Sequence, residues 1–540
     1  MSILSGILLA LSFPPLPFSS LVFIAFVPYL VVLESEPQPR KPLFLAYLLF
    51  FFYHGGTNWW ISSWQPECDP YLLVAGILLA FVHPFFFMVP IAFYRLTKKK
   101  LNRNTALWLL PFYWTTFEWL RAQGDLAYPW LSLGNTQVES LHWIQFVDIT
   151  GVWGATFLIM IANVAFTKII LYKRQEERRS IFKARELRLP LIFLAMIIIV
   201  PIIYSYYTLR KYSESNLQET TKRLKTAVIQ PNINPWIKWN SNVIKQIELH
   251  GRIQDSLIRK FGRYDLAVWT ETSVPFMDIE FNSSKDFNIF RRRIDFDSSA
   301  LLTGFSYYRI FDSKNDATKT ARQLPYDPNK YYEAYNSALM LNPGYRNHTP
   351  QLYFKSRLTP FSERLPFIEN LLFLRKFFEW GVGISSWGRG TEIFPLIVKR
   401  ANDSVLIGQI ICIESVFPDF SARQVELGAS VLAVITNDAW YDHTFGPIQH
   451  YSIGAMRAME TRRYLIRCAN SGISGVIAPS GATIRKIEQY KATGFIESIP
   501  LLFDKTFYVN HVDWLPFFCS IITIIGLIFT LFKKYFVKMK

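Results

Sequence analysis

Ile407-Gly408-Gln409-Ile410-Ile411-Cys412-Ile413-Glu414 is the stretch on which the reading of this chain turns. A β-branched run carries one cysteine to its C-terminal end, with an acid two residues later, as a buried strand does when it brings a nucleophile to the rim of a sheet. Cys412 is therefore the candidate nucleophile. Leu266-Ala267-Val268-Trp269-Thr270-Glu271 is a second apolar strand ending in an acid, and Tyr353-Phe354-Lys355 places a lysine just past an extended segment. A free thiol is only slightly ionised near neutral pH, so a base must take its proton as it attacks an ester. Glu271 fits that role. Attack builds up an oxyanion, and a fixed ammonium in a low-dielectric pocket, Lys355, is a strong partner for it. Glu363, eight residues beyond Lys355, is placed to hold the ammonium. Each residue also has a plainer reading: Cys412 as a core thiol, Glu271 as a strand-end cap, Lys355 as a solvated loop lysine. The three together favour chemistry, and His450 reads as structural because a base is already supplied.

The chain has 540 residues, of which 51% are hydrophobic and 16% aromatic, enough for more than one core. Apolar stretches crowd roughly the first 210 residues and the last 30, whereas 215–510 has the mixed pattern of a water-soluble domain. The expected organisation is a membrane domain over 1–212, a catalytic domain over 213–510, and a last span with a basic tail over 511–540. The formal charge of +17 raises the possibility of nucleic acid. The basic residues cluster instead in short loops: Lys98, Lys99, Lys100 and Arg103; Lys173 and Arg174 to Arg188; Lys533 to Lys540. The positive-inside rule accounts for them, and no nucleic-acid partner is expected.

Eight spans are expected: residues 2–13, broken by Pro14, Pro15 and Pro17; Ser19 to Leu33; 43–61, 71–96, 105–121, 146–172 and 189–209; and Leu515 to Phe532. The first lacks the basic flank and cleavage site of a signal peptide. With the basic loops in the cytoplasm, the 215–510 domain lies outside, in the periplasm of a Gram-negative cell. The loop at 62–70 has no Lys or Arg, in keeping with that orientation. His54, Asn58 and Glu118 fall at or near span ends and read as interfacial, in packing, capping or substrate contact.

The four cysteines, Cys68, Cys412, Cys468 and Cys519, have no metal-ligand spacing. Neither a metal nor a cofactor is expected, and the one intradomain disulfide, Cys412 with Cys468, would oxidise the nucleophile. Strands are expected at Lys225–Gln230, Leu266–Thr270, Ser298–Phe305, Asn336–Leu341, Val405–Ile411, Val431–Thr436, Leu465–Ala469 and Gly475–Ala478, with helices at Asn242–Lys260 and Ile448–Arg463. The alternation suggests an α/β sandwich of sheets covered by helices. Asp312 to Lys330 reads as a solvated loop.

Further motifs run through the chain: Phe13-Pro14-Pro15, Glu118-Trp119-Leu120-Arg121, Pro129-Trp130-Leu131 and Thr150-Gly151-Val152-Trp153-Gly154. Beyond them come Val228-Ile229-Gln230-Pro231-Asn232 with Lys238-Trp239, Trp269-x-Glu271, Lys355-x-x-Leu358-x-Pro360-Phe361-x-Glu363, Cys412-x-Glu414, Asn437-Asp438-Ala439-Trp440 and Gly446-Pro447-x-Gln449-His450. In this order they resemble the bacterial apolipoprotein N-acyltransferases, with a nitrilase-superfamily (carbon-nitrogen hydrolase) domain over 213–510. The resemblance implies an αββα domain on an eight-helix bundle in the bacterial inner membrane. It also implies transfer of an acyl chain from a phospholipid, through a cysteine thioester, to the α-amine of a diacylglyceryl-cysteine apolipoprotein, by a monomer. It assigns Cys412 as nucleophile, Glu271 as base and Lys355 as oxyanion stabiliser, with Glu363 and Glu414 as supporting acids and Trp239 and Trp440 near substrate. Ile413 departs from the pattern, since the family places Tyr or Phe there. The alternative is a membrane-tethered amidase hydrolysing a small amide, which would have no need of a bundle open to lipid. Gates to the lipid are expected at Pro235 to Trp239, Leu365-Pro366-Phe367, and Trp440 to His443.

Overall fold

The computed structural model describes residues 1–62, 70–176, 180–218, 222–236, 238, 243–274, 285–344, 350–374 and 387–538. Cys68, Arg178, Arg179, Ile237, Trp239 and Lys540 lie outside the described residues.

The catalytic part is built on two sheets. The first has the order β13 (Thr493–Pro500), β1 (Arg223–Gln230), β2 (Leu266–Val268), β3 (Ala300–Phe311), β5 (Asp327–Leu341), β4 (Arg322–Leu324), and β6 (Gln351–Phe354) also pairs with β5. The second has the order β12 (Thr483–Ile487), β11 (Ser474–Ile477), β10 (Leu465–Ala469), β9 (Val431–Thr436), β8 (Ser404–Ile411), β7 (Leu396–Lys399). Parallel β1–β2–β3 and β8–β9–β10 form the two centres, so their strands are buried on both faces.

Alternation along the strands assigns the layers. Val228, Leu266, Val268, Leu302 and Met340 share one core with Ile410, Val434 and Ile466 of the second sheet. Their neighbours Ala227, Ile229, Ala267, Trp269, Leu301 and Leu339 face the other way, onto Leu257 of the helix Val243–Phe261 and Phe287, Phe290 and Ile294 of the helix Lys285–Asp297. Helices Pro418–Glu426 and Phe445–Thr461 cover the second sheet, completing an αββα sandwich. The expected loop at Asp312 to Lys330 is in part a hairpin, because Gln323 pairs with Tyr331 and Leu324 with Asp327. Its polar residues face water, so it shows no apolar alternation.

The eight-span expectation does not hold. Among the described residues four helices are long and apolar enough to cross a membrane: Leu73–Lys100, Val152–Gln175, Arg185–Lys211 and Trp514–Lys533. The other apolar stretches form shorter elements. Ser2–Leu11 is followed by the prolines after Phe13; the second stretch is a 3₁₀ turn, Ser19–Phe23, and a seven-residue helix, Val27–Leu33. Pro42–Asn58 ends in His54-Gly55-Gly56-Thr57-Asn58, and Arg103–Leu120 carries Arg103, Asn104, Thr105, Thr115, Thr116 and Glu118. Polar residues at these positions lower hydropathy below what a span requires.

The helical part and the sandwich share one continuous core. Trp60 Nε1 and Trp130 Nε1 both donate to Gln449 Oε1, at 3.1 and 2.9 Å, and Val152 N donates to Glu460 Oε1 at 2.7 Å. Arg462 Nε donates to Asp148 Oδ2 at 2.9 Å. The helix Phe445–Thr461 thus joins the second sheet to the apolar helices.

Candidate active site

Strand β8 ends at Ile411, and Cys412 opens a 3₁₀ turn, Cys412–Val416, with φ +50°. A left-handed conformation at a non-glycine residue is unfavourable by about 1–3 kcal/mol and persists only where its surroundings enforce it. Here the enforcement is visible. Glu414 Oε2 accepts from Ile411 N at 2.8 Å, and Ser415 Oγ donates to Cys412 O at 2.8 Å. The other oxygen of Glu414 accepts from Tyr353 O–H at 2.6 Å, Ser356 N at 2.8 Å and Arg357 N at 3.2 Å. Glu414 is a positioning residue: it fastens the segment that carries Lys355 to the strand that carries Cys412.

Lys355 follows β6, is 1% exposed, and donates to Glu363 Oε1 at 2.8 Å and Glu271 Oε1 at 3.2 Å. Asn336 Nδ2, on β5, bridges the same two oxygens at 2.8 and 3.0 Å. Glu363 Oε2 accepts from Thr359 N at 2.8 Å. Close backbone approach at this corner depends on two glycines. A Cβ on Gly304 would lie 2.2 Å from Thr272 N, beside Glu271, and one on Gly390 would lie 2.0 Å from Phe354 O, beside Lys355.

The electrostatics follow from burial and from one cation between two acids. Burial pushes the Cys412 thiol well above its ordinary value, Glu271 adds to that, and Lys355 opposes it. Burial alone would lower the Lys355 ammonium, but Glu271 and Glu363 outweigh it and the net shift is upward. Glu363 is held below the ordinary carboxylate value, because Lys355 outweighs burial. The resting site is a protonated thiol beside a permanent ammonium.

This arrangement makes Glu271→Gln informative. Losing the Glu271 charge removes an upward influence on the thiol and leaves Lys355 to lower it, so the thiolate fraction rises. Alkylation of Cys412 by iodoacetamide at neutral pH, read by peptide mass spectrometry, is expected to accelerate roughly tenfold per unit of fall. Acylation by an ester, which needs a base, is expected to be lost in the same variant. Unchanged alkylation would mean that Glu271 does not act on the thiol.

Behind the nucleophile lies a second buried group. His450 Nε2 is 2.7 Å from Ser415 Oγ and 3.1 Å from Cys412 O, and Nδ1 is 2.8 Å from Asp438 Oδ1. Arg467 Nη2 donates to Asp438 Oδ2 at 2.7 Å. Donor atoms of Cys412, Asp438 and His450 lie within 4.8 Å of one another, a set of metal-ligand type. Both Asp438 oxygens are already engaged, by His450 and Arg467, so the group reads as a brace for the Cys412 backbone. Burial would raise the Asp438 carboxyl, but Arg467 and His450 hold it below its ordinary value.

The structure brings together Cys412, Glu271, Lys355, Glu363 and Glu414. Trp440 packs edge to face on Trp236, 4.8 Å between ring centroids. Ile413 is buried in the shared core. Four residues around the site escaped the sequence reading. Asn336 is one amide on a strand with no motif around it. The Asp438–Arg467 pair joins a residue of the turn after β9 to one in the middle of β10, which spacing alone does not relate. Lys238 was seen only as part of a motif, yet its buried ammonium donates to Glu271 O at 2.9 Å and Thr272 Oγ1 at 2.8 Å. Burial pulls it down to about 7, against the pull of Glu271. His54 and Glu118 are buried inside the bundle; Glu118 accepts from Trp114 Nε1, Leu133 N and Thr156 Oγ1 at 2.7, 2.9 and 2.7 Å.

An αββα sandwich with a strand-end cysteine beside a Glu–Lys–Glu cluster defines a catalytic domain of the carbon-nitrogen hydrolase class, and residues 225–501 match the family model described as "Carbon-nitrogen hydrolase". Residues 5–165 match "Apolipoprotein N-acyltransferase N-terminal domain". The chain is 31% identical over 530 residues to the apolipoprotein N-acyltransferase of Chlorobaculum tepidum, covering 96% of this chain and 93% of that one. It is 30% identical to the protein of that name from Geobacter metallireducens, covering 89% and 85%, and 29% identical to apolipoprotein N-acyltransferase 2 of Treponema denticola, covering 94% and 91%. The chain belongs to the bacterial apolipoprotein N-acyltransferase family.

Proposed function

We propose that this protein moves an acyl chain from a membrane phospholipid to the α-amino group of an N-terminal diacylglyceryl-cysteine, in two steps through Cys412. Glu271 takes the thiol proton as sulfur attacks the ester carbonyl. Lys355 stabilises the oxyanion, and collapse breaks the carbonyl–oxygen bond, so that the lysophospholipid alkoxide leaves with that proton. The acceptor amine then attacks the thioester while Glu271 takes its proton, the carbonyl–sulfur bond breaks, and Cys412 leaves as thiolate and receives that proton from Glu271. Glu363 holds Lys355, Glu414 holds the turn, and Trp440 lies near substrate; Trp239 is assigned from its motif alone. No cofactor takes part, and the protein acts as a monomer.

One observation carries this reading. The helix that braces the nucleophile through His450 is the same helix that takes Trp60 and Trp130 of the apolar part onto Gln449. A hydrolase of small soluble amides has no use for that junction. The test supplies a phospholipid labelled in one acyl chain and a diacylglyceryl-cysteine peptide. The proposal expects label on the peptide amine; label recovered wholly as free acid, peptide present, would favour the amidase reading.

The catalytic domain lies on the periplasmic side. Lys533 Nζ donates to Lys100 O at 3.0 Å, so the basic ends of two long helices meet, while Trp119 and Trp153 bond Asp513 at 2.9 and 2.8 Å beside the sandwich. Basic residues mark the cytoplasmic side and tryptophans the interface. A cysteine placed at Lys314, on the exposed turn, is expected to react with a membrane-impermeant maleimide in cells permeable only at the outer membrane. Labelling only after inner-membrane lysis would reverse the orientation.

A further inference from the structure

A group of buried polar side chains in the helical part has nothing to bond. Both ring nitrogens of His54, both amide atoms of Asn58, Thr57 Oγ1, His83 Nδ1, Arg121 Nε and Tyr128 O–H lack a hydrogen-bond partner among the described residues. His54, His83, Arg121 and Tyr128 lie side by side. The His54 and His83 rings are 4.9 Å apart, His83 and Tyr128 are 5.4 Å apart, and Arg121 Nη2 is 2.7 Å from His83 Nε2. Asn58 follows His54 by one turn of the helix Pro42–Asn58, so both occupy one face. His54 is 2% exposed, His83 4% and Asn58 8%. Unpartnered polar atoms at such depth oppose folding, so a cluster of them points to a ligand.

The chemistry of the set selects an anion. Arg121 has no carboxylate partner among the described residues; it donates to Leu126 O at 2.9 Å and lies 4.7 Å over the Phe86 ring. Its free Nε–H and the Tyr128 hydroxyl are donors at one uncompensated positive charge, the pattern that takes phosphate oxygens, and the Asn58 amide adds a donor one turn beyond His54. Glu118, the nearby acid of the same helix, is turned to Trp114 and Thr156.

Position selects a lipid. Arg121 caps an 18-residue helix whose other end, at Arg103, adjoins the basic Lys98–Lys100 end. At 1.5 Å per residue it stands about 27 Å from that end, close to the thickness of a bilayer's hydrocarbon core. The loop after it meets the catalytic domain, where Asp125 pairs with Arg389 at 3.0 Å. The cluster also adjoins the reaction site. Tyr128 stacks on Trp130 at 6.0 Å, and the Trp130 ring is 5.4 Å from His450, which contacts Cys412 O.

We propose that His54, Asn58, His83, Arg121 and Tyr128 form a binding site for the phosphate group of a phospholipid, with Arg121 as its counter-ion, seating the donor beside Cys412. The inference rests on the donor being a phospholipid, as in the proposed function, and its test measures binding without turnover. Full-length Cys412→Ala protein in neutral detergent is titrated with 1-palmitoyl-lysophosphatidylethanolamine and, separately, with 1-palmitoylglycerol, and retention is read by native mass spectrometry. The phosphate-bearing lipid is expected to be held more tightly, and Arg121→Gln to weaken it by roughly tenfold or more, as expected for hydrogen bonds to a charged group. Arg121→Lys recovers part of the loss. Tyr128→Phe, which removes one hydroxyl and keeps the ring stack, gives a smaller loss in the same lipid and guards against a folding artefact. Retention of 1-palmitoylglycerol is expected to be the same in all of them. Displacement of the phospholipid by millimolar inorganic phosphate would show the same anion chemistry met from a free source. Equal retention of both lipids, unaltered by Arg121→Gln and Tyr128→Phe, would overturn the assignment. Absence of acyl transfer in the unsubstituted protein, with phospholipid retention intact, would count against the proposed function alone.

Discussion

Cys412→Ala is expected to abolish acyl-enzyme formation and peptide acylation together, by on the order of 10⁴-fold or more, the scale on which loss of a covalent nucleophile acts. Cys412→Ser should leave at most a trace, because a hydroxyl is a far weaker nucleophile at this pH and the cluster around it is arranged for sulfur. The side chain is small, and its left-handed backbone is held by Glu414, Ser415 and His450, not by the thiol. Folding and insertion should therefore survive. A Cys412→Ala protein that still acylates a diacylglyceryl peptide from phospholipid at the unsubstituted rate would exclude the two-step scheme.

Lys355→Ala carries the second large effect, and it acts on rate and stability at once. Removing the one fixed cation at the developing oxyanion is expected to lower the rate by about 10²–10³-fold, as for other preorganised donors. It also leaves Glu271 and Glu363 facing each other through Asn336 without the ammonium that pairs with both. Breaking a buried ion pair from one side is destabilising by roughly 3–5 kcal/mol. The two effects separate in the double variant Lys355→Ala/Glu363→Gln, which removes one stranded charge. Its thermal unfolding should move back toward the unsubstituted protein while the acylation rate stays low. Recovery of both would mean that Lys355 serves only to neutralise the acids.

The pH dependence of this cluster has a definite sign. The Glu363 pKa is depressed in the folded protein, so its contribution to stability is present above the ordinary carboxylate range and is lost as pH falls through the lower, folded value. Lys355 is shifted upward, so its contribution is full below the ordinary lysine value and lost only at higher, strongly alkaline pH. The site is thus expected to be more vulnerable to acid than to mild alkali.

The sandwich was legible because its central strands are short apolar runs that end at or just before a candidate site residue: Ile411 before Cys412, Val268 three residues before Glu271. Antiparallel extensions were not legible. Residues 322–332 pair outside the core, and with no buried face they show no alternation, so a hairpin reads as a polar loop. In the helical part, hydropathy located the four long helices, 73–100, 152–175, 185–211 and 514–533. It overcounted where apolar stretches stop short at Pro14 and Pro15 or carry the polar residues of 54–58 and 115–118. Those polar residues are buried, Glu118 in a network with Thr156 and Trp114, and His54, Thr57 and Asn58 without side-chain partners among the described residues, and composition cannot distinguish either case from an interfacial position. At the site, Cys412, Glu271, Lys355, Glu363 and Glu414 announced themselves through strand ends and motif order, whereas the places of Asn336, Lys238 and the Asp438–Arg467 pair are defined by approach in space.

The same geometry explains why the thiol can rest unreactive. A proton stays on Cys412 because burial and Glu271 both favour the neutral form, and Lys355 is occupied by Glu271 and Glu363 until an oxyanion forms. Reaction then depends on substrate arriving, not on a standing thiolate.

The central claim is that Cys412 carries the acyl chain. The direct measurement is the intact mass of the full-length protein taken from phospholipid-containing membranes, before and after neutral hydroxylamine. The account predicts one added acyl mass, located on the peptide bearing Cys412, absent in Cys412→Ala, released by hydroxylamine and discharged by a diacylglyceryl-cysteine peptide. An unmodified mass under conditions in which the peptide becomes acylated would contradict it.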